Sequence, residues 1–348
     1  MAKLSKISAA NQCERLGAVT ENKKVERGDM ENKMSLGRSN LQVPRMGVGA
    51  MTWGDAKGLA RLHPAKTAYG GAEGFEEERR ALEVSIAAGA NLFDTAAFYS
   101  GGASEQRVGE LVQGQEALVA SKFPGGFSFR AEDLPRELAA SLTRLQRDSI
   151  ELYQHHFPNP RVSIPKLMDL LAETVQTGKV KAVGVSNYSA EQMREAHAAL
   201  AKHGIPLASN QVEYSLLRRQ PETNGVLDAC RELGITLIAY SPLAGGALTG
   251  KYSVTQRAGG LRRFLPNFSK KAMEALQPVL KLLHEIGERY SMTPSQVAIR
   301  WLIENPIVLP IPGAKNSKQA AENAGALSFS LTPEEVEALS QVTIAWRA

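Results

Sequence analysis

Between residues 46 and 324 the chain repeats one beat eight times: a short apolar run, a polar or glycine-bearing turn, then a helix with one apolar face. Strand-like runs fall at 46–49, 91–94, 117–122, 150–156, 180–186, 208–212, 236–240 and 307–311, and the run VKAVGVS at 180–186 is the clearest. Helical spacing of apolar residues follows at 76–88, 104–112, 131–145, 163–177, 190–201 and 222–233, then at 270–290 with 294–304, and finally at 317–324. Strands that alternate with helices become neighbours through crossovers, so the sheet they form is parallel. Eight such units over about 280 residues favour a closed barrel over an open doubly wound sheet. The fingerprint of the open alternative, G-x-G-x-x-G opening a helix after the first strand, is missing: Gly47 and Gly49 lead instead to Thr52-Trp53-Gly54. The expected fold class is therefore α/β, a (β/α)8 TIM barrel. A β-hairpin at 34–43 would plug its bottom, and an extra C-terminal helix at 332–340, opened by the capping box Thr332-x-x-Glu335, would lie outside it.

One barrel domain then spans 34–348, preceded by a flexible extension at 1–33 that mixes charges without any apolar period. That extension has no apolar centre for a secretory signal. It also carries Glu14, Glu21, Glu26, Asp29 and Glu31, whereas a transit peptide is poor in acids. A cytoplasmic location is expected, with organellar targeting as the alternative. Residues 55–75, rich in glycine and lysine, read as a long loop over the barrel mouth. The net charge of +5 is spread along the chain without a basic block, which excludes a nucleic-acid groove and suits a small anionic ligand. No apolar run approaches the roughly 18 residues of a membrane span. The two cysteines, Cys13 and Cys230, make no disulfide framework and fit a reducing compartment; no metal site is expected.

Chemistry-bearing residues gather at the strand ends, where a barrel keeps its site. Asp94 closes the run NLFD, Tyr99 lies five positions later on the next loop, Lys122 ends ALVASK, and His156 follows LYQH. A phenol titrates near pH 10 in water, so it is a useful proton donor only if a cation lowers that value. Taken singly, Asp94 could cap a turn, Lys122 could snorkel, His156 could be structural, and Trp53 could be packing or a wall for a planar ligand. Their joint placement carries more. Thr52, Ser186-Asn187, Gln211, Tyr240-Ser241 and Gly313–Lys315 fall on the same face.

Seven motifs in order then resemble those of the aldo-keto reductases over about residues 34–346. They are DTAxxY at 94–99, SK at 121–122, LYQHHFP at 152–158, GVSN at 184–187, NQVEY at 210–214, YSPLAGGALTGKY at 240–252 and IPGAKNSKQAAEN at 311–323. The resemblance implies reduction of a carbonyl to an alcohol by NADPH, or the reverse. Tyr99 would donate the proton, Lys122 would lower its pKa, Asp94 would hold Lys122, and His156 would orient the carbonyl. His155, on the opposite face of its strand, would be packing. The resemblance also implies cofactor contacts: Thr52 and Trp53 at the first strand; Ser186, Asn187 and Gln211 at the carboxamide; Tyr240 stacked on the nicotinamide. Ser241, Leu243, Gly245 and Lys251 would face the pyrophosphate, Gly313 and Lys315 the 2′-phosphate, and Gln319, Glu322 and Asn323 the adenine end. Lys315 favours NADPH over NADH, since no acid competes for the ribose.

Two departures from the pattern stand out: Ala50-Met51 ahead of Thr52, and the basic stretch with Arg262 and Arg263. Phe123, Phe127, Phe129 and Phe157 suggest an apolar mouth, hence aldehydes with an apolar or aromatic body. The alternative reading is a regulatory NADP(H)-sensing subunit, like the potassium-channel β subunits that share SPLAxG and QxxEN, although His156 restores the full catalytic set. A Schiff-base lyase using Lys122 is less suited to the neighbouring Tyr99 and Asp94.

Overall fold

The computed structural model describes residues 33–56, 74–124, 129–253, 256, 258–259 and 264–347. Of the expected extension at 1–33, residues 1–32 lie outside the described residues, as do most of the 55–75 loop, Phe127, Arg262 and Arg263; Lys33 belongs instead to the first strand. The sheet holds β3 (Val48–Gly49), β4 (Leu92–Asp94), β5 (Leu118–Phe123), β6 (Ile150–His155), β7 (Val180–Ser186), β8 (Leu207–Glu213), β9 (Thr236–Tyr240) and β10 (Val308–Pro310) in sequence order. Every neighbouring pair is parallel. The two edges meet: Gly47 N donates to Pro310 O and Gly49 N to Pro312 O, both at 3.0 Å, and Gly49 bridges Gly313. That seam is close-packed at its glycines: a Cβ at Gly47 would lie 3.0 Å from Ile311 Cγ2 and one at Gly49 would lie 3.1 Å from Ile311 O.

Helices fill the crossovers: α1 (Phe75–Ala87), α2 (Ala103–Leu111), α3 (Leu134–Leu145), α4 (Ile164–Gln176), α5 (Ala190–Ala201) and α6 (Val226–Leu233). The last crossover is double, with α7 (Lys270–Tyr290) and α8 (Pro294–Ile303), and α9 (Ser317–Ala324) follows β10. Two expected helices start late. The run from 131 opens as a 3-10 turn, Ala131–Asp133, before α3. The run from 222 is broken because Gly225 takes a left-handed φ of 82°, so Gln220–Glu222 is a separate 3-10 turn and α6 begins only at Val226. The outer helix α10 (Pro333–Val342) has the expected reciprocal cap: Thr332 N donates to Glu335 Oε2 at 3.0 Å and Glu335 N to Thr332 Oγ1 at 3.3 Å. Among the described residues, no helix is long and apolar enough to cross a membrane.

The hairpin β1 (Lys33–Ser35) with β2 (Gln42–Pro44) pairs Met34 with Val43. Its Leu36 and Val43 join one inward residue from each of seven strands (Leu92, Ala120, Leu152, Ala182, Ala208, Ile238 and Leu309) in a separate buried cluster, and so close the barrel bottom. Gly37 docks the turn, its N–H donating to Thr236 Oγ1 at 2.8 Å; at its φ of 56° a Cβ would come within 2.5 Å of Ala208 O. The larger core lies between strands and helices. Burying a side chain such as Leu36 is worth about 1.5–3 kcal/mol, which is why so short a hairpin stays seated.

Candidate active site

The period of two along each strand carries the interior from the apolar layer to a polar one in a single step. Leu92 is followed by Asp94, Ala120 by Lys122 and Leu152 by Gln154, all buried. On β8 the register slips, with Val183 paired to Leu207 but Gly184 to Ser209. Ser209 consequently reaches Gln154, its Oγ donating to Oε1 at 3.3 Å, while Gln211 reaches Asp94.

Lys122 is fully buried, and its Nζ donates to Asp94 Oδ1 at 2.6 Å and to Thr95 O at 2.8 Å. The second Asp94 oxygen accepts from Gln211 Nε2 at 2.8 Å. Lys122 Nζ also lies 4.9 Å from the Tyr99 ring centroid. Burial alone would discharge the ammonium, but the Asp94 carboxylate and then the Tyr99 phenol outweigh it, and its pKa is raised. For Tyr99 the balance differs from the sequence-based expectation. Burial pushes the phenol up; the charge of Lys122 and a hydrogen bond to it pull down, while Asp94 pushes up again, so the net shift is upward. Lys122 acts in the expected direction without prevailing, and the phenol keeps its proton at neutral pH.

His156 follows β6, and its ring is stacked on Phe98 (centroids 4.6 Å, 25°) and on Phe157 (4.5 Å, 7°), with the Tyr99 ring edge-on at 5.6 Å and 80°. Burial first, then the Lys122 charge and His155, hold its pKa down at about 2, so the imidazole is neutral. His155 faces outward, as expected: Nδ1 is 2.7 Å from Tyr188 Oη and the ring stacks on Phe123 at 5.0 Å. That outward direction also corrects the apolar mouth. Phe123 alternates with Lys122, points into the helix layer and is buried there, as is Phe129 packed on it at 5.4 Å; Phe157 alone of the described three is open, 45% exposed.

The remaining candidates fall into three groups. At the ends of β7–β9, Ser186 Oγ donates to Gln211 O (2.8 Å), Asn187 Nδ2 to Ser186 Oγ (3.0 Å) and His156 O (3.1 Å), and Tyr240 Oη to Asn187 Oδ1 (3.1 Å). In the loop after β9, Ser241 and Gly245 line a cavity of about 220 Å³ with Arg218 and Phe268, while Leu243 is half-buried beside them in sequence and Lys251 is exposed at the loop's end. After β10, Lys315 N donates to Gln319 Oε1 at 3.0 Å and Asn323 Nδ2 to Gly313 O at 3.2 Å; Glu322 instead accepts from Thr293 Oγ1 at 3.5 Å. Thr52 is buried beyond β3. Trp53 has no exposed surface, so it walls no ligand in this structure: its Nε1 donates to Ala314 O at 2.6 Å and pins the turn before Lys315. Sequence reasoning missed Phe98, Thr95 O and the Gln211–Asp94 bond; the first was a variable position within DTAxxY.

The aldo/keto reductase family model matches residues 45–344. The chain belongs to the aldo/keto reductase family. This aldo/keto reductase is 36% identical over 312 residues to the aldo-keto reductase str7 of Strobilurus tenacellus, covering 86% of this chain and 89% of the relative. It is 31% identical over 321 residues to the Schizosaccharomyces pombe aldo-keto reductase yakc, whose name carries NADP(+), with 87% and 89% covered. Among solved structures it resembles the glycerol dehydrogenase from Gluconobacter oxydans, with a TM-score of 0.78 and 25% identity over 90% of this chain and 96% of that one. As a member of the family, the chain is an oxidoreductase.

Proposed function

We propose that this chain reduces aldehydes and ketones to alcohols with NADPH, using Tyr99 as proton donor. The observation that carries the reading is the buried Lys122 ammonium, held by Asp94 at 2.6 Å and set 4.9 Å from the Tyr99 ring. When bound, NADPH would supply a hydride to the carbonyl carbon. The side chains handle the rest. Tyr99 holds a proton on Oη at neutral pH and passes it to the carbonyl oxygen, which completes the alcohol. The phenolate left behind is stabilised by Lys122, whose charge Asp94 and Gln211 keep in place until solvent returns the proton. His156, neutral, can donate a hydrogen bond to the carbonyl oxygen without bringing a competing charge.

Several features suit the dinucleotide. Ser241, Ala244, Gly245 and Gly246 all take left-handed φ (53°, 50°, 69° and 99°), and such runs form concavities of backbone N–H groups that take anions. Lys315 precedes the N-terminus of α9, where a phosphate is favoured. The NADP(+) in the name of the yakc relative agrees. The open face of Phe157 favours carbonyl compounds with an apolar or aromatic body. We place the enzyme in the cytoplasm, consistent with the buried free thiol of Cys230, and cell fractionation checks this.

The test is NADPH oxidation by the purified chain against a panel of aldehydes and ketones. Turnover is expected with aromatic aldehydes, and Lys315→Met should raise KM for NADPH about tenfold while sparing NADH. A chain that binds NADPH tightly yet reduces nothing in the panel is a sensor instead.

A further inference from the structure

Two adjacent histidines are held in different ways. His155 is fixed by the bond between Nδ1 and Tyr188 Oη at 2.7 Å. His156 Nδ1 is buried with no hydrogen-bond partner. The orientation of a working imidazole is ordinarily set by a hydrogen bond on its second nitrogen. In its place His156 has two stacked rings, Phe98 at 4.6 Å and Phe157 at 4.5 Å, which oppose rotation of the imidazole. Phe98 also meets Tyr99 edge-on at 5.3 Å and 83°. One side chain therefore touches both groups that handle the proton.

We propose that Phe98 is a positioning residue of the reaction, whose ring sets His156 and Tyr99 in fixed relation through stacking, with Phe157 as the outer half of the clamp. The inference rests on the reading that Tyr99 and His156 act on a carbonyl. Between these rings the imidazole is shielded from water, with His156 only 5% exposed, while Phe157 itself remains 45% exposed. The charged and titratable groups around His156 are Lys122 on β5, Tyr99 after β4 and His155 on its own strand; Asp94 is engaged by Lys122. None of them is an anion facing the imidazole directly, so removing an apolar face lets water, rather than a carboxylate, set its protonation.

The loss of one aromatic face is worth about 2- to 13-fold in the population of the stacked ring. The test compares Phe98→Leu, Phe98→Tyr and Phe157→Leu in the full chain. It measures kcat and KM against pH with NADPH and an aromatic aldehyde, NADPH binding by fluorescence, and the His156 imidazole signal by NMR. Phe98→Leu is expected to bind NADPH like the parent and lose about tenfold in kcat, with KM little changed. Its kcat should acquire an acidic limb, and its His156 should begin to titrate. Phe98→Tyr should restore most of the rate and the flat profile, and Phe157→Leu should move the same readouts less. The proposal is overturned if Phe98→Leu keeps its kcat and a silent His156, or if Phe98→Tyr is no better than Phe98→Leu. Should Phe98→Leu not fold, Phe157→Leu, at an exposed position, decides by the same readouts. If the parent reduces no aldehyde, the functional reading fails by itself, while the NMR titration still decides the clamp.

Discussion

The two ends of one barrel interior are built from the same strands and differ by two residues. At the bottom, Leu92, Ala120 and Leu152 pack against Leu36 and Val43 of the hairpin and carry no polar side chain. One inward step higher, Asp94, Lys122 and Gln154 are as deeply buried, yet they hold a carboxylate, an ammonium and an amide whose Nε2 has no partner. The lower layer stabilises the fold; the upper layer draws on that stability to keep charge out of water, where it can act on a reacting group. On the proposed reading, function is a change of residue type at a strand end, on a scaffold set below it.

The largest effect expected from that contrast is on Lys122. Lys122→Met leaves Asp94 buried with only Gln211 to satisfy it. The fold should lose about 3–5 kcal/mol, and kcat should fall about a thousandfold because the phenolate loses its counter-charge. Chemical denaturation and steady-state rates on one preparation measure both. Leu36→Ala separates the layers from the other side: about 2–5 kcal/mol of stability lost, with kcat unchanged in the folded fraction. A fall in kcat there would mean that the bottom of the barrel also tunes the site.

A smaller effect follows from the histidines behind and beside the upper layer. Burial holds His155 down to about 4 and His156 to about 2, against an ordinary value of 6.5. Below pH 6.5 the unfolded chain takes up these protons and the fold does not, so stability is full above that pH and falls as pH drops toward those lowered values. Each histidine should contribute up to about 2 kcal/mol of loss between pH 7 and 5. Urea midpoints measured against pH should slope less in His156→Phe. An unchanged slope would show that water already reaches the imidazole.

Much of this was legible in the sequence because it is periodic or local. The eight-fold beat, the hairpin at 34–43 and the Thr332 cap each follow from spacing alone. The start of α6 was not, because the left-handed φ of Gly225, 82°, interrupts an apolar pattern that continues across it. Ring-on-ring contacts such as Phe98 with His156 join the segments that follow two different strands, β4 and β6, and no local pattern announces them. Trp53 read equally well as a wall or as packing, and only the 2.6 Å bond to Ala314 O shows which way its indole is turned. The direction of the Tyr99 shift was hidden for another reason: it is a difference between burial and opposing charges, and residue identity gives their signs but not their balance.

The central claim is that the proton delivered to the carbonyl oxygen comes from Tyr99. Replacing Tyr99 by Phe removes that hydroxyl and leaves the ring contacts with His156 and Lys122. The measurement is the single-turnover rate of aldehyde reduction by Tyr99→Phe at saturating NADPH, alongside a fluorescence titration of NADPH binding. The expected result is unchanged binding with a rate reduced about 10²- to 10⁴-fold. A rate within a few-fold of the parent would contradict the claim and assign the proton to another donor.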